Sequence, residues 1–166
     1  MDNDGLEESI RYAKKYLEDL LSFFGLNTDV YATSEDGVVI ELNIPSTHLN
    51  GFLIGQRGET MRALQYLVSS ALSNQDKTNT RVSVDVADYK KHRADRVAQA
   101  AEAWIEKVKQ TGQPYIVKSM NAADRRTVHR VAADAGLLSD SEGEGRDRHI
   151  VLRLPDGTNP DTTEEN

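Results

Sequence analysis

Cysteine is absent from the 166 residues, which excludes disulfide frameworks, thiolate metal sites and cysteine nucleophiles and agrees with a reducing compartment. No apolar run approaches the roughly 20 residues needed to cross a bilayer. The N-terminus, MDNDGLEESI, is acidic and polar where a secretory leader is basic and then apolar. The expectation is a soluble, cytoplasmic protein with no membrane insertion. Hydrophobic residues make up 38% of the chain and aromatics 6%, a content that suits two small cores better than one large one. Catalytic signatures are missing too: there is no H-E-x-x-H, no Walker loop with its Lys and Ser/Thr, and no group of carboxylates at metal-ligand spacing. No metal and no cofactor are expected.

A formal net charge of -7 argues at first against a polyanionic ligand. The acidic excess is local, however. Residues 1–44 hold 3 basic and 10 acidic side chains, residues 45–154 hold 17 and 13, and residues 155–166 hold 0 and 4. The middle of the chain is therefore net +4, and a local patch decides what docks.

Leu6, Ile10, Ala13, Leu17, Leu20, Leu21 and Phe24 recur at the spacing of one helical face, with Gly25 placed to stop the helix. TDVYAT and GVVIELNI read as two strands joined at Glu35, Asp36 and Gly37 into a hairpin. Pro45 and Ser46 open a short helix to about Ile54. Met61, Leu64, Leu67, Val68, Ala71 and Leu72 then mark another helix, and TRVSVDV a strand with Val82, Val84 and Val86 on one side. The second half begins with a long helix whose stripe is Val97, Ala101, Trp104, Ile105 and Val108, ended by Gly112 and Pro114. PYIVKSM reads as a short strand. Asn121 is a suitable N-cap for the helix NAADRRTVHRVAADAG, and LLSDSEGEGRDRHIVLRL reads as a strand pair around a glycine-rich turn. The tail from Pro155 has nothing apolar to bury and is expected to be disordered.

In GFLIGQRGETMRALQYL, Gly55 and Gly58 bracket Gln56 and Arg57 between two helices. Glycines there allow a tight turn and the close approach of a partner. The unpaired N–H groups and positive dipole at the start of the following helix favour a phosphate, and Arg57 adds a mobile full charge. The run from Leu53 to Met61 resembles the I-G-x-x-G-x-x-hydrophobic core of a type II KH domain, with helix, hairpin and strand in the order that family uses. In KH domains this loop clamps the backbone of about four single-stranded nucleotides, with the bases in a groove between helix and sheet. The resemblance implies RNA contact through Ile54, Gly55, Gln56, Arg57, Gly58, Met61 and Arg62, with the strand around Arg81 to Asp85 as a further wall.

Arg125 and His129 lie four apart and share a helix face, as do Arg126 and Arg130. The first pair matches the Arg-x-x-x-His signature of the R-three-H domain, and MNAADRRTVHRVA with SEGEGRDRHIVLRL resembles that domain further. This implies a second RNA surface at Arg125, Arg126, His129, Arg130 and Arg148. A KH domain followed by an R-three-H domain is the arrangement of the Jag (SpoIIIJ-associated) family of bacterial RNA-binding proteins. The expected architecture is α+β, with two small domains that each pack helices on a three-stranded sheet: a KH-like domain over 1–87, an R-three-H-like domain over 88–154, and an acidic tail over 155–166. The additional N-terminal domain of many Jag proteins is not expected.

The function implied is single-stranded RNA binding without catalysis, by a bacterial post-transcriptional regulator linked to cell elongation and division. Single-stranded DNA is a possible second ligand, and a small stand-alone KH protein a possible partner. Two other readings stand beside it: an RNA phosphodiesterase using His129 and His149 as acid and base, and an adaptor that binds protein. Simpler roles weigh against other candidates. His48 and His92 read as surface residues, Trp104 as core, the Glu142 to Glu144 turn as solvated, and Tyr66 and Tyr89 as either base-stacking or sheet-covering residues.

Overall fold

The first apolar stripe folds as α1 (Asn3–Phe23), with Ala13, Leu17 and Leu21 buried against the sheet. The computed structural model, which describes residues 3–75 and 81–155, continues into a hairpin of β1 (Tyr31–Thr33) and β2 (Val39–Ile44). Glu18 ties the helix to the hairpin by accepting the Val30 N–H at 2.9 Å. In the turn, Asp36 accepts the N–H groups of Val39 and Val38 at 2.9 and 2.8 Å, and these bonds hold its carboxyl below its ordinary value.

Two helices, α2 (Asn50–Ile54) and α3 (Glu59–Gln75), lead to β3 (Arg81–Val86). Strand β2 pairs antiparallel with β1 and parallel with β3, giving the order β1-β2-β3. A parallel pair needs a crossover, and here α2, the glycine turn and α3 form it. Ile40, Leu42 and Ile44 of β2 and Val82, Val84 and Val86 of β3 are buried with Leu53, Met61, Leu64, Val68 and Leu72. The helix expected from Pro45 starts only at Asn50. Side-chain bonds shape the preceding residues into turns: Asn50 Oδ1 accepts the Thr47 N–H at 2.8 Å, and Thr47 Oγ1 accepts the Leu49 N–H at 3.2 Å. Phe24 and Leu67, counted in the apolar stripes, stay exposed.

The chain divides into two compact units between Lys90 and Lys91, in the first turn of α4 (Tyr89–Thr111). In the second unit Val97, Ala101, Ile105 and Val108 of α4 are buried with residues from β4 (Tyr115–Val117), α5 (Ala122–Asp134) and β6 (His149–Arg153). Strand β5 (Leu138–Glu142) completes an antiparallel sheet of order β4-β6-β5. Trp104 is half-buried on this core and stacks on Tyr115 at 6.3 Å. The acidic tail lies, from residue 156 onward, outside the described residues.

Asn121 caps α5, its Oδ1 accepting the Asp124 N–H at 2.8 Å. Asp124 is 3% exposed and receives both Nε and Nη2 of Arg93, the latter at 2.9 Å. A buried carboxylate depends on such a partner, because the interior replaces little of its hydration. Arg93→Met is therefore expected to cost the second unit about 3 kcal/mol, and Asn121→Ala about 1 kcal/mol. Urea unfolding followed by Trp104 fluorescence reads this unit alone, since the chain has a single Trp; equal losses would show that the ion pair is not the stronger tie.

Candidate nucleic-acid interface

Gly55 follows α2 with φ 69° and ψ -176°, a conformation essentially reserved for glycine. A Cβ at Gly55 would overlap Thr60 Oγ1 and lie 2.8 Å from Thr60 N. Gln56–Gly58 then form a single 3-10 turn in which Arg57 is left-handed, at φ 52° and ψ 27°. The Arg57 carbonyl is held by Nη1 of Arg62 at 3.0 Å. Gly58 is buried at φ 81°, and a Cβ there would sit 3.3 Å from Cε1 of Tyr89. Thr60, Arg62 and Tyr89 thus brace the loop. The side chains left facing solvent are those of Gln56 and Arg57, and Glu59, first residue of α3, partly offsets the charge of Arg57 and Arg62.

Ile54 is half-buried, packed on the first core. Met61 is only 5% exposed and belongs to that core. Strand β3 is a sheet edge, and its outward Val84 N–H is taken by Gln65 Oε1 at 3.1 Å. Lys90 donates to Ser83 Oγ at 2.7 Å. Loss of hydration there lowers its ammonium pKa, against the raising influence of Asp85 and Glu41.

In the second unit the Arg125 and His129 pair is held by the protein itself. Arg125 Nη1 donates to the Met120 carbonyl at 2.8 Å. The His129 ring lies between two serines of β5, Nδ1 at 2.7 Å from Ser139 Oγ and Nε2 at 2.9 Å from Ser141 Oγ. A hydroxyl can donate or accept, so the bridge accommodates either tautomer. Arg126, Arg130 and Arg148 are exposed, and they supply the outward charge of this unit. His149 stands elsewhere. It pairs across from Glu142, one residue on from Ser141, and strand alternation puts it on the sheet face opposite His129.

Comparison with known families agrees with both halves. The model for the KhpA/KhpB KH domain matches residues 11–86, and that for the R-three-H domain matches residues 95–154. The chain thus carries a KH domain of the KhpA/KhpB type followed by an R-three-H domain. Relatives named RNA-binding protein KhpB are 28% identical in Clostridium symbiosum, over 86% of this chain and 64% of the relative, and 27% in Bacillus subtilis, over 87% and 70%. In Streptococcus pneumoniae the relative is 27% identical over 87% of this chain and 43% of its own length. The chain thus spans from under half to about two thirds of the length of these KhpB proteins.

Sequence reasoning gave no supporting role to three residues of the KH domain: Thr60, read only within the motif run, and Tyr89, read as base-stacking or sheet-covering, which close on the two glycines, and Gln65 at the strand edge. Thr60 stands five residues from Gly55 and could have been suspected. Tyr89 and Gln65 act across separations of 31 and 19 residues, with no local signal.

Gly55→Ala is expected to destabilise the KH domain by about 1–3 kcal/mol, read by amide hydrogen exchange of α3, with Thr60→Ala in the same chain restoring part of the loss. A neutral Gly55→Ala would mean that this contact does not set the loop. In the R-three-H domain, His129→Ala should cost about 2 kcal/mol by orphaning two half-buried serines, measured by Trp104 fluorescence in urea; an unchanged midpoint would return His129 to a purely surface role.

Proposed function

We propose that the chain binds single-stranded RNA, with the Gly55–Gly58 loop as the backbone clamp and Arg126, Arg130 and Arg148 as a second phosphate-binding surface. The observation that carries this reading is the loop itself. Its backbone is held in conformations that cost energy, including a left-handed Arg57, while Gln56 and Arg57 remain turned to solvent. A turn needed only to join two helices has no use for a strained arginine at its tip; a phosphate clamp does. The names of the KhpB relatives support the same ligand. In this reading Arg125 and His129 orient the second surface more than they touch the ligand, and Gly55, Gly58, Ile54 and Met61 shape the first.

The role extends by the same likeness to post-transcriptional regulation in the bacterial cytoplasm, with a link to cell elongation and division. Single-stranded DNA is a second ligand of the same chemistry, and a small stand-alone KH protein a candidate partner. The binding is proposed to be non-catalytic. An acid and a base must both reach one phosphodiester, and the serine bridge on His129 together with the opposite placement of His149 argues against such a pair.

Fluorescence anisotropy of labelled short RNA pools across a salt series, comparing the native chain with the double change Gln56→Asp and Arg57→Asp, tests this proposal. Native binding should weaken with salt, with a slope of about 0.7 per phosphate contact, and the double variant should lose most of the affinity while the RNA stays intact on a gel. A double variant that binds like the native chain would transfer the affinity to the second domain. Absence of native binding would favour the adaptor, and cleaved RNA the phosphodiesterase.

A further inference from the structure

Strand β3 offers its backbone to whatever lies along the free edge of the first sheet. The N–H groups of Arg81 and Ala87 bond to the carbonyls of Val38 and Ile44 on the β2 side, so by the alternation of a parallel ladder Val82, Val84 and Val86 direct theirs outward. Two of these outward donors are already occupied. Asp85 Oδ1 accepts the Val86 N–H at 2.9 Å, and Gln65 Oε1 accepts the Val84 N–H at 3.1 Å. A base approaching the centre of this edge therefore meets the Gln65 amide where it would otherwise meet the strand.

The orientation of that amide is not arbitrary. A backbone N–H can only donate, so the Gln65 atom facing Val84 is the oxygen and Nε2 points away. Among the described residues Nε2 donates to no acceptor, and the buried side-chain atom without a partner is Ser34 Oγ alone. Gln65 is half-buried, so its Nε2 opens to solvent at the mouth of this edge. Gln65 also shares a helix flank with Arg62, three residues earlier, and Arg62 holds the Arg57 carbonyl of the loop. At 1.5 Å per residue Gln65 stands about 10 Å along α3 from Gly58, within the stretch of about four nucleotides that a KH loop holds.

We propose that Gln65, fixed by the Val84 N–H with its Nε2 outward, is a specificity-determining residue that presents a hydrogen-bond donor to a base lying at the β3 edge. The proposal rests on the nucleic-acid reading of the loop. It states which chemistry is preferred: a base edge that offers acceptors. Uracil carries two exocyclic acceptors, O2 and O4, whereas adenine accepts only at ring nitrogens and its exocyclic group is an amino donor.

Gln65→Glu is the informative variant. Its carboxylate still accepts from Val84, so the tie to the strand is kept, but the outward atom changes from donor to acceptor. Anisotropy with eight-nucleotide oligo-U and oligo-A at fixed salt should show the ratio of oligo-U to oligo-A affinity falling about fivefold relative to the native chain; the added negative charge weakens both ligands and cancels in the ratio. Gln65→Met, which is uncharged, should bring the ratio towards one, with circular dichroism verifying that both variants remain folded. Ratios unchanged in both variants would overturn the proposal and leave Gln65 as a strap between α3 and β3. Failure of the native chain to bind either oligomer or a mixed pool would instead refute the underlying RNA reading, and the native measurement alone separates the two failures.

Discussion

The contact on which the candidate RNA surface depends is the approach of the Gly55 backbone to Thr60. No side chain fits between them, so α2 and α3 meet at a turn that leaves Gln56 and Arg57 outward and sets the direction of every later residue of α3. From that direction follow the bond of Arg62 to the Arg57 carbonyl and the reach of Gln65 to the edge of β3. The parallel pairing of β2 with β3 imposes the crossover, and the crossover puts the loop at its turning point. Clamp and edge are products of one chain path.

The second domain is organised by a different constraint. Asp124, in the first turn of α5, has almost no exposure; Arg93 of α4 donates to its carboxylate, and the Asn121 cap accepts its backbone N–H. Arg125 and His129 continue this system of ties, reaching the Met120 carbonyl and the β5 serines. The residues that define the family motif thus hold the helix in place, while less distinctive neighbours, Arg126 and Arg130, carry its charge to the surface. A motif pair on one face of a helix need not be the face that meets the ligand. Half-buried, a guanidinium and an imidazole do more as hydrogen-bonding braces than as free charges.

Much of this was legible in the residues. Period-two alternation in GVVIELNI and TRVSVDV placed Ile40, Leu42, Ile44, Val82, Val84 and Val86 in the core, and the 3.6-residue stripes of α1, α3 and α4 did the same for most of their helical positions. The glycine pair and the Arg-x-x-x-His pair marked both candidate surfaces. Errors arose where local side-chain bonding competed with helix formation, as at Thr47 and Asn50, and where a stripe residue such as Leu67 stays exposed.

Local chemistry, then, determined the elements, the need for glycine at positions 55 and 58, and the cationic middle of an acidic chain, because periodicity, backbone freedom and charge are properties of neighbouring residues. Tertiary structure decided which donors and cations remain available. Tyr89 on Gly58, Gln65 on Val84, Arg93 on Asp124 and His129 on two serines join residues 10 to 31 positions apart. Hydrogen-bond satisfaction across such distances depends on where the chain returns, which is settled only when the two cores pack.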